Sequence, residues 1–172
     1  MKGIPPRQQV TLGELEGVYR RDGAAFERVA IAIVGDEQLG CDAVQDAFVL
    51  ALRKRGDFRG DAPVEAWLWR IVINEALKRR ARESATFATD PSVLDAGVVS
   101  SNGSGDRARI RALIAELPER QRLMLFLRHY ADLDYATIAR ALDVAPGTVA
   151  ATLNAARERL RAQLEEVREW EL

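Results

Sequence analysis

The residues most suited to chemistry on a partner molecule lie in one basic block, residues 53–82. This block holds nine basic and four acidic residues, a net charge of +5, and it also contains Phe58, Trp67 and Trp69. Basic side chains interleaved with aromatic rings suit the binding of single-stranded nucleic acid through its backbone and through base stacking. The same residues also fit an ordinary arginine-rich helix end beside buried tryptophans. Composition alone leaves both interpretations open.

The other residue types exclude most catalytic sites. The chain of 172 residues has one histidine, His129, and one cysteine, Cys41, which excludes the usual zinc sites and an internal disulfide. None of the three lysines follows a glycine, so a Walker A phosphate loop is excluded, and the GxGxxG and GxSxG motifs are absent. We therefore expect no enzymatic activity, no metal, no cofactor and no small-molecule substrate.

Outside the basic block the charge is negative or balanced. Residues 1–52 and 83–105 each have a net charge of −3, and residues 106–172 hold eleven charges of each sign, so the whole chain is at −1. No purely apolar run is longer than the six residues of 29–34, far fewer than the ~20 residues of a membrane span. The N-terminal residues lack the apolar segment of a secretory signal. These features predict a cytoplasmic protein without membrane insertion.

The spacing of the apolar residues predicts an all-α protein made of two small helical domains. Asp36 is a candidate N-cap of the second helix, and Pro63 is placed at the first position of the third. Residues 55–61 interrupt the pattern and are predicted to form a loop. A stretch rich in Ser, Thr, Ala, Gly and Asp predicts a flexible acidic linker. The predicted division is an N-terminal segment at 1–14, a helical domain at 15–83, the linker at 84–105 and a second helical domain at 106–172.

The second domain is predicted to contain a helix-turn-helix. A helix over residues 134–142 is followed by a turn at Asp143 and by a second helix from Pro146, the recognition helix. A generic helical hairpin is the alternative, and the spacing of the apolar residues favours the helix-turn-helix. Other residues predicted to face the core are Tyr19, Phe48, Leu52, Leu123, Met124, Leu127 and Tyr130.

Five short segments occur in an order and spacing typical of one protein family. They are DAVQDAF at residues 42–48, FRG at 58–60, AWLWRI with an asparagine at 66–74, LPERQR at 117–122, and YATIA with GTV at 135–149. Each segment alone is a weak signal, whereas five in order are specific. Over residues 18–164 the chain resembles the bacterial extracytoplasmic-function (ECF, group 4) sigma factors of the sigma-70 family.

This resemblance implies that the chain binds core RNA polymerase through both large subunits and directs promoter recognition and DNA melting. The first domain would be sigma region 2, and the second would be sigma region 4. Implied polymerase-binding residues are Asp42, Gln45, Asp46 and Phe48. Implied contacts to the −10 element are Phe58, Arg59, Gly60, Asn74, Lys78, Arg79 and Arg82. Promoter DNA and an anti-sigma factor are the other partners that the resemblance suggests.

The recognition helix departs from the family pattern. Ala150, Thr152 and Ala155 stand where the family typically has basic residues, and no charged residue occurs in residues 144–156. Phosphate neutralisation supplies much of the affinity for duplex DNA, and guanine is usually contacted by arginine, so this surface is weakened. Asp143 replaces the usual turn glycine, and aspartate tolerates the left-handed conformation. The remaining candidates for DNA contact are Thr148, Thr152, Asn154 and Arg157.

Two functions therefore remain open. The first is an alternative sigma factor whose contact with the −35 element is weak, unusual or supplied by a partner. The second is a sigma-like interaction protein that binds polymerase or a regulator with little or no direct −35 contact. The intact loop and basic helix of residues 57–82 favour the first function. The alanine-rich recognition helix favours the second, or a divergent −35 sequence.

Overall fold

The computed structural model describes residues 9–87 and 105–170, and within these two ranges it contains helices and no strand. The all-α prediction is confirmed. A 3₁₀ turn at Arg55–Asp57 follows the second helix. The α-helices are α1 (Leu12–Val34), α2 (Glu37–Lys54), α3 (Val64–Phe87), α4 (Gly105–Ala115), α5 (Glu119–His129), α6 (Tyr135–Leu142) and α7 (Pro146–Trp170).

Residues 88–104, which form most of the predicted linker, lie outside the described residues. The first four residues of that linker are helical, since α3 continues to Phe87. Residues 84–87 contain neither glycine nor proline, so nothing in them interrupts the helix. The composition of residues 84–105 is typical of a flexible linker, but α3 continues past residue 83, where the first domain is predicted to end.

Local capping defines the helices of the first unit. Thr11 and Glu14 form a capping box at the start of α1, and Gly35 ends α1 in the left-handed conformation. Asp36 then accepts a hydrogen bond of 2.8 Å from the Leu39 amide, which confirms it as the N-cap of α2. Pro63 lies one position earlier than predicted, immediately before α3, and its carbonyl accepts from the Trp67 amide.

The core of the first unit is centred on α3, which is buried on more than one side. Trp69 is fully buried, and its ring lies 4.3 Å from that of Phe26. Ile73 is buried as well. The helical spacing predicts a different buried face for this helix, made of Val64, Trp67, Leu68, Ile71, Val72 and Ala76. The reason is that α3 packs against α1 and α2 and also against α6 of the second unit. The predicted inward positions of Tyr19 and Leu52 are wrong, because both side chains are exposed.

The second unit is organised around α5. Residues 123–127 are all buried, although the predicted inward face included only Leu123, Met124 and Leu127 of these five. Tyr130 was expected to face inward, but its side chain is 41% exposed and its ring stacks on Phe126. The helix is enclosed because it packs against α6 and α7 and also contacts α1. The enclosure of α5 thus follows from packing that includes a contact between the two units.

The N-cap of α6 offers a test of this local structure. Asp134 Oδ1 accepts a hydrogen bond of 2.6 Å from the Thr137 amide, and its hydrogen bonds with Thr137 lower the pKa of this carboxyl. We expect Asp134→Ala to lower the free energy of unfolding by about 1 kcal/mol at neutral pH. Because the folded-state pKa is depressed, this contribution is present above the unfolded pKa and is lost as pH falls through the folded value.

Urea unfolding of the full chain at neutral pH and below about pH 4 measures both effects. Asp134→Ser is the matched control, since serine also caps helices but does not titrate in this range. It should recover most of the stability at neutral pH and show less pH dependence. Equal losses for the serine and alanine variants would contradict the capping role.

Candidate functional site

The acidic residues expected to bind polymerase lie on the outer face of α2. Gln45 is exposed, and the side chains of Asp42 and Asp46 are 44% and 58% exposed. Phe48 differs, because its partly buried ring packs edge-on against Tyr19 and Phe26. The structure thus presents the three polar residues together and places Phe48 behind them as a support.

Arg79 of α3 joins this acidic face. Its guanidinium lies 2.7 Å from Asp46 Oδ2 and 3.4 Å from Asp42 Oδ2, and its side chain is only 22% exposed. The resemblance implied that Arg79 contacts DNA, but in the structure it bridges two carboxylates of α2. Sequence spacing could not find this pairing, since 33 and 37 residues separate the partners.

Two apolar side chains on the same outer face were not among the predicted site residues. Val49 is 46% exposed and Leu52 is 40% exposed, three and six residues after Asp46. Exposed apolar side chains beside charged ones are typical of interaction surfaces. The sequence did contain a signal for them, because Val49 and Leu52 continue the helical spacing of Asp42, Gln45 and Asp46. The apolar pattern nevertheless predicted that Leu52 faces the core. We call Asp42, Gln45, Asp46, Val49 and Leu52 the α2 face.

The loop before α3 is anchored by an aromatic side chain. Phe58 is 5% exposed, and its ring packs edge-on against Trp67 at 5.4 Å. Arg59 and Gly60 are exposed, and Gly60 adopts φ 71°, a conformation that favours glycine. The Phe58 ring thus lies in the core rather than on the surface. The part of this loop available to a ligand consists of Arg59, the Gly60 backbone and the residues that follow.

The polar residues of α3 divide into two groups. Asn74, Lys78 and Arg82 are exposed and lie four residues apart, so they form one stripe along the helix. Lys78 Nζ also pairs with Glu75 at 2.7 Å. Arg79 is turned towards α2, as described above. Three basic residues of this helix were expected to contact DNA. Lys78 and Arg82 lie together on the exposed stripe, whereas Arg79 lies on the side of α3 that faces α2.

The helix-turn-helix prediction is confirmed. Asp143 ends α6 with φ 56° and ψ 52°, the left-handed conformation expected at the turn. In α7, Val149 and Leu153 are fully buried, whereas Thr148, Asn154 and Arg157 are exposed. Thr152 is partly buried, as are Ala150 and Ala155.

Basic residues follow this uncharged surface along α7, beginning with Arg157. Burial lowers the pKa of His129 below its ordinary value, and the positive charges of Arg157 and Arg128 lower it further. His129 thus lies near Arg157, the first arginine of α7. The exposed positions between Thr148 and Asn154 remain uncharged.

No group of three or more His, Cys, Asp or Glu side chains in residues 9–87 and 105–170 could hold a metal ion. No helix in the described part of the chain is long and apolar enough to cross a membrane.

The fold and the site define a two-unit all-α protein with a helix-turn-helix in its second unit. The sigma-70 region 2 family model matches residues 18–86, and the sigma-70 region 4 family model matches residues 107–160. The RNA polymerase sigma-H factor of Pseudomonas aeruginosa is 31% identical over 177 residues, which covers 88% of this chain and 92% of that protein. The chain belongs to the ECF group of the sigma-70 family.

A second relative agrees with this assignment, and a solved structure shares the fold. The ECF RNA polymerase sigma factor SigM of Mycobacterium tuberculosis is 33% identical over 144 residues, covering 83% of this chain and 73% of that protein. A solved structure of the sigma factor RpoE in complex with the anti-sigma factor NepR, from Bartonella quintana, matches with a TM-score of 0.69 at 23% identity. It covers 90% of this chain and 98% of that one. The latter likeness concerns the fold.

Proposed function

We propose that this chain is an alternative sigma factor that binds core RNA polymerase and directs promoter recognition and DNA melting. The observation that carries the proposal is the arrangement of the first unit. Its α2 face is acidic and apolar, while the Asn74, Lys78 and Arg82 stripe on α3 is polar and basic. Within a region 2 fold, an acidic and apolar surface suits binding to a protein, and a polar and basic surface suits binding to DNA.

The α2 face is proposed to dock on the polymerase clamp. Val49 and Leu52 supply an apolar centre, and the carboxylates of Asp42 and Asp46 supply a charged rim, an arrangement typical of protein interfaces. Arg79 holds both carboxylates in place rather than contacting DNA. Phe48 contributes from behind by packing against Phe26.

The Arg59 loop and the α3 stripe are proposed to bind the −10 element as its strands separate. Removing a base from the duplex costs a few kcal/mol of unstacking, so a protein surface must receive it. Arg59 and the Gly60 backbone are exposed for this contact, and the buried Phe58 ring fixes the loop on the core. Lys78 and Arg82 neutralise phosphates along the helix.

Replacing Arg59 by alanine tests the loop. We expect open-complex formation with core polymerase to fall about tenfold, since a hydrogen bond from a charged donor is lost while the core stays intact. Permanganate reactivity of unpaired thymines at a promoter transcribed by the wild-type holoenzyme measures the effect. Arg20→Ala is the matched control, because this exposed arginine pairs with Glu16 within α1. Unchanged melting in the Arg59 variant would remove the loop from the proposal.

The second unit is proposed to act as sigma region 4 on the polymerase flap. Thr148, Thr152, Asn154 and Arg157 are its candidate contacts to the −35 element. The uncharged exposed positions between Thr148 and Asn154 also support a second function, a sigma-like protein that binds polymerase or a regulator with little −35 contact. Run-off transcription with purified core polymerase separates the two, since only a working sigma factor supports specific transcripts.

The remaining proposals follow from this role. Residues 15–83 and 106–172 would act as the polymerase- and promoter-binding domains, with residues 1–14 and 84–105 outside them. The chain would act in the cytoplasm with its polymerase and would not itself be an enzyme or take a small-molecule substrate. The similar Bartonella quintana sigma factor is in complex with an anti-sigma factor, so an anti-sigma factor is a candidate partner here as well.

A further inference from the structure

The exposed surface at the start of α7 is built from small, uncharged residues. Val149, Leu153 and Ala156 are fully buried and form the packing face of the helix. The exposed residues as far as position 154 are Pro146, Gly147, Thr148, Ala151 and Asn154. Gly147, Ala151 and Asn154 follow one another at spacings of four and three residues, so they form one stripe along the outer side of α7.

This stripe is open to a ligand in the arrangement that the structure shows. Thr148, Ala151 and Asn154 do not line the cavity between α3 and α6. A Cβ added at Gly147 would meet no other helix within 4 Å, so the first turn is open as well. The amide of Asn154 has no hydrogen-bond partner among the described residues. Its donor and its acceptor are therefore both available.

The length of the stripe suits contact with base edges. At about 1.5 Å per residue, Asn154 lies about 12 Å along the helix from Pro146. The major groove of DNA is about 12 Å wide, and the N-terminal residues of a recognition helix contact the bases there. Because Gly147 and Ala151 are short, the helix backbone can also approach the base pairs closely. This surface can therefore reach bases although it cannot neutralise phosphates.

The side chains of this surface match A·T pairs better than G·C pairs. An asparagine amide has a donor and an acceptor, and adenine offers the complementary N7 acceptor and N6 donor. Guanine offers two acceptors, N7 and O6, so the carbonyl oxygen of Asn154 would face an oxygen with no proton between them. The methyl groups of Thr148 and Ala151 can contact the C5-methyl group of thymine, which G·C pairs lack.

We propose that α7 recognises a −35 element made of A·T pairs, in which Asn154 binds one adenine and Thr148 and Ala151 contact thymine methyl groups. This inference rests on the proposed function, because it names the class of DNA sequence that region 4 would select. Phosphate contacts position a protein on DNA, whereas base contacts specify the sequence. An uncharged helix can thus select a sequence when the polymerase holds it beside the promoter at high local concentration.

Two charged residues end the uncharged surface. Glu158 continues the stripe four residues after Asn154, and Arg157 lies beside it, both exposed. A carboxylate accepts a hydrogen bond from cytosine N4, and an arginine donates to guanine O6 and N7. A G·C pair in the selected element would therefore indicate that these two residues contact the bases. The proposal instead assigns Arg157 to a phosphate.

Selection from a DNA library tests the base preference. Core polymerase carrying the full-length chain would be given duplexes with a randomised −35 region and an unpaired −10 region, so that selection does not require melting. We expect A·T pairs to be enriched in the −35 region, with adenine preferred over guanine about tenfold at one position. Asn154→Ala should remove the preference at that position and leave the neighbouring A·T pairs enriched.

Asn154→Arg should produce a gain of preference that misfolding cannot produce. Arginine binds guanine O6 and N7, so this variant should prefer guanine about tenfold at the position where the wild-type chain prefers adenine. Arg157→Ala is the control, since the loss of a phosphate contact weakens binding to all sequences alike and leaves the base preference unchanged. Circular dichroism with urea unfolding checks that the variants are folded.

Three results would each overturn the proposal. The first is a guanine preferred by the wild-type chain in the −35 region, above all one that disappears in Arg157→Ala. The second is a −35 region that stays random after selection. The third is an A·T preference that both substitutions of Asn154 leave unchanged, which would indicate that the chain responds to the shape of A·T-rich DNA rather than to its bases.

Run-off transcription from fully paired duplexes, with the selected −35 sequences above a randomised −10 region, keeps this inference separate from the sigma function. If transcripts form but the selected −35 sequences are random, the sigma function stands and the base preference fails. If no transcript forms, the sigma function fails, while the selected sequences still show whether α7 prefers A·T pairs. Selection with the full-length chain alone at low salt, where phosphate contacts are strongest, gives the same readout without polymerase.

Discussion

Replacing Asp46 by arginine is expected to lower the affinity of this sigma factor for core RNA polymerase by about a hundredfold or more. Asp46 is the more exposed carboxylate of the α2 face, and the polymerase surface that would receive it is expected to be basic. A like charge at such an interface costs several kcal/mol. The new arginine would also lie next to Arg79, which now pairs with Asp46 at 2.7 Å.

The chain provides a closely matched control for this substitution. Glu16 on α1 is 55% exposed and pairs with Arg20 at 2.6 Å, whereas Asp46 is 58% exposed and pairs with Arg79. Glu16→Arg therefore reverses an equally exposed, equally paired carboxylate away from the α2 face, and it should bind core polymerase normally. Asp46→Asn removes the charge without introducing a repulsion, so its effect should be smaller than that of arginine.

Titration of labelled core polymerase with each full-length variant measures the affinities. Urea unfolding shows whether Asp46→Arg disturbs the contact between α2 and α3. Equal binding by Asp46→Arg and Glu16→Arg, with both variants folded, would exclude the α2 face as the polymerase contact. A loss in Asp46→Arg that parallels a loss of stability would point instead to the structural pair with Arg79.

The features predictable from sequence are those that depend on neighbours along the chain. Asp36 was identified as an N-cap because an acceptor side chain before a helix bonds an amide three residues on. The turn at Asp143 followed from the apolar spacing on either side of it and from the tolerance of aspartate for the left-handed conformation. Both features are set within a few residues, so no knowledge of packing was needed.

The features that were missed depend on which helices lie against each other. Phe58 looks like a loop residue until the ring of Trp67 is found beside it. Arg79 belongs to a basic run, and only the packing of α3 on α2 shows that it pairs with Asp42 and Asp46. The enclosed α5 and the buried Trp69 likewise result from contacts between elements far apart in sequence. Periodicity describes one helix at a time and cannot supply such contacts.

Adding basic residues to the recognition helix is expected to change the salt dependence of DNA binding strongly. The combined substitution Ala150→Lys, Thr152→Arg and Ala155→Arg should steepen the dependence of DNA affinity on salt. Each neutralised phosphate contributes about −0.9 to the slope of log affinity against log salt concentration, so three contacts add up to about −2.7. All three positions are partly exposed, and Val149 and Leu153 keep the packing face of α7. Long basic side chains favour helices and can extend to solvent.

A control variant shows whether the salt dependence changes because of where the new charges lie or because of how many there are. Gly13→Lys, Gly17→Arg and Ala24→Arg add the same three charges to exposed positions of α1, and a Cβ at either glycine meets no other atom within 4 Å. We expect this control to change the slope by less than one such unit. Equal steepening by both variants would mean that net charge, rather than the recognition helix, controls binding.

The wild-type slope then decides how this helix binds DNA. We expect the recognition helix to contribute little to this slope, because residues 144–156 carry no charge. The alternative source of phosphate contacts is the next part of α7, where Arg157, Arg159 and Arg161 are exposed. A steep wild-type slope that disappears when these three arginines are replaced by alanine would show that DNA binding lies towards the end of the helix. A steep slope that survives their replacement would place the DNA-binding surface outside residues 146–161, since the uncharged first turns of α7 cannot produce it.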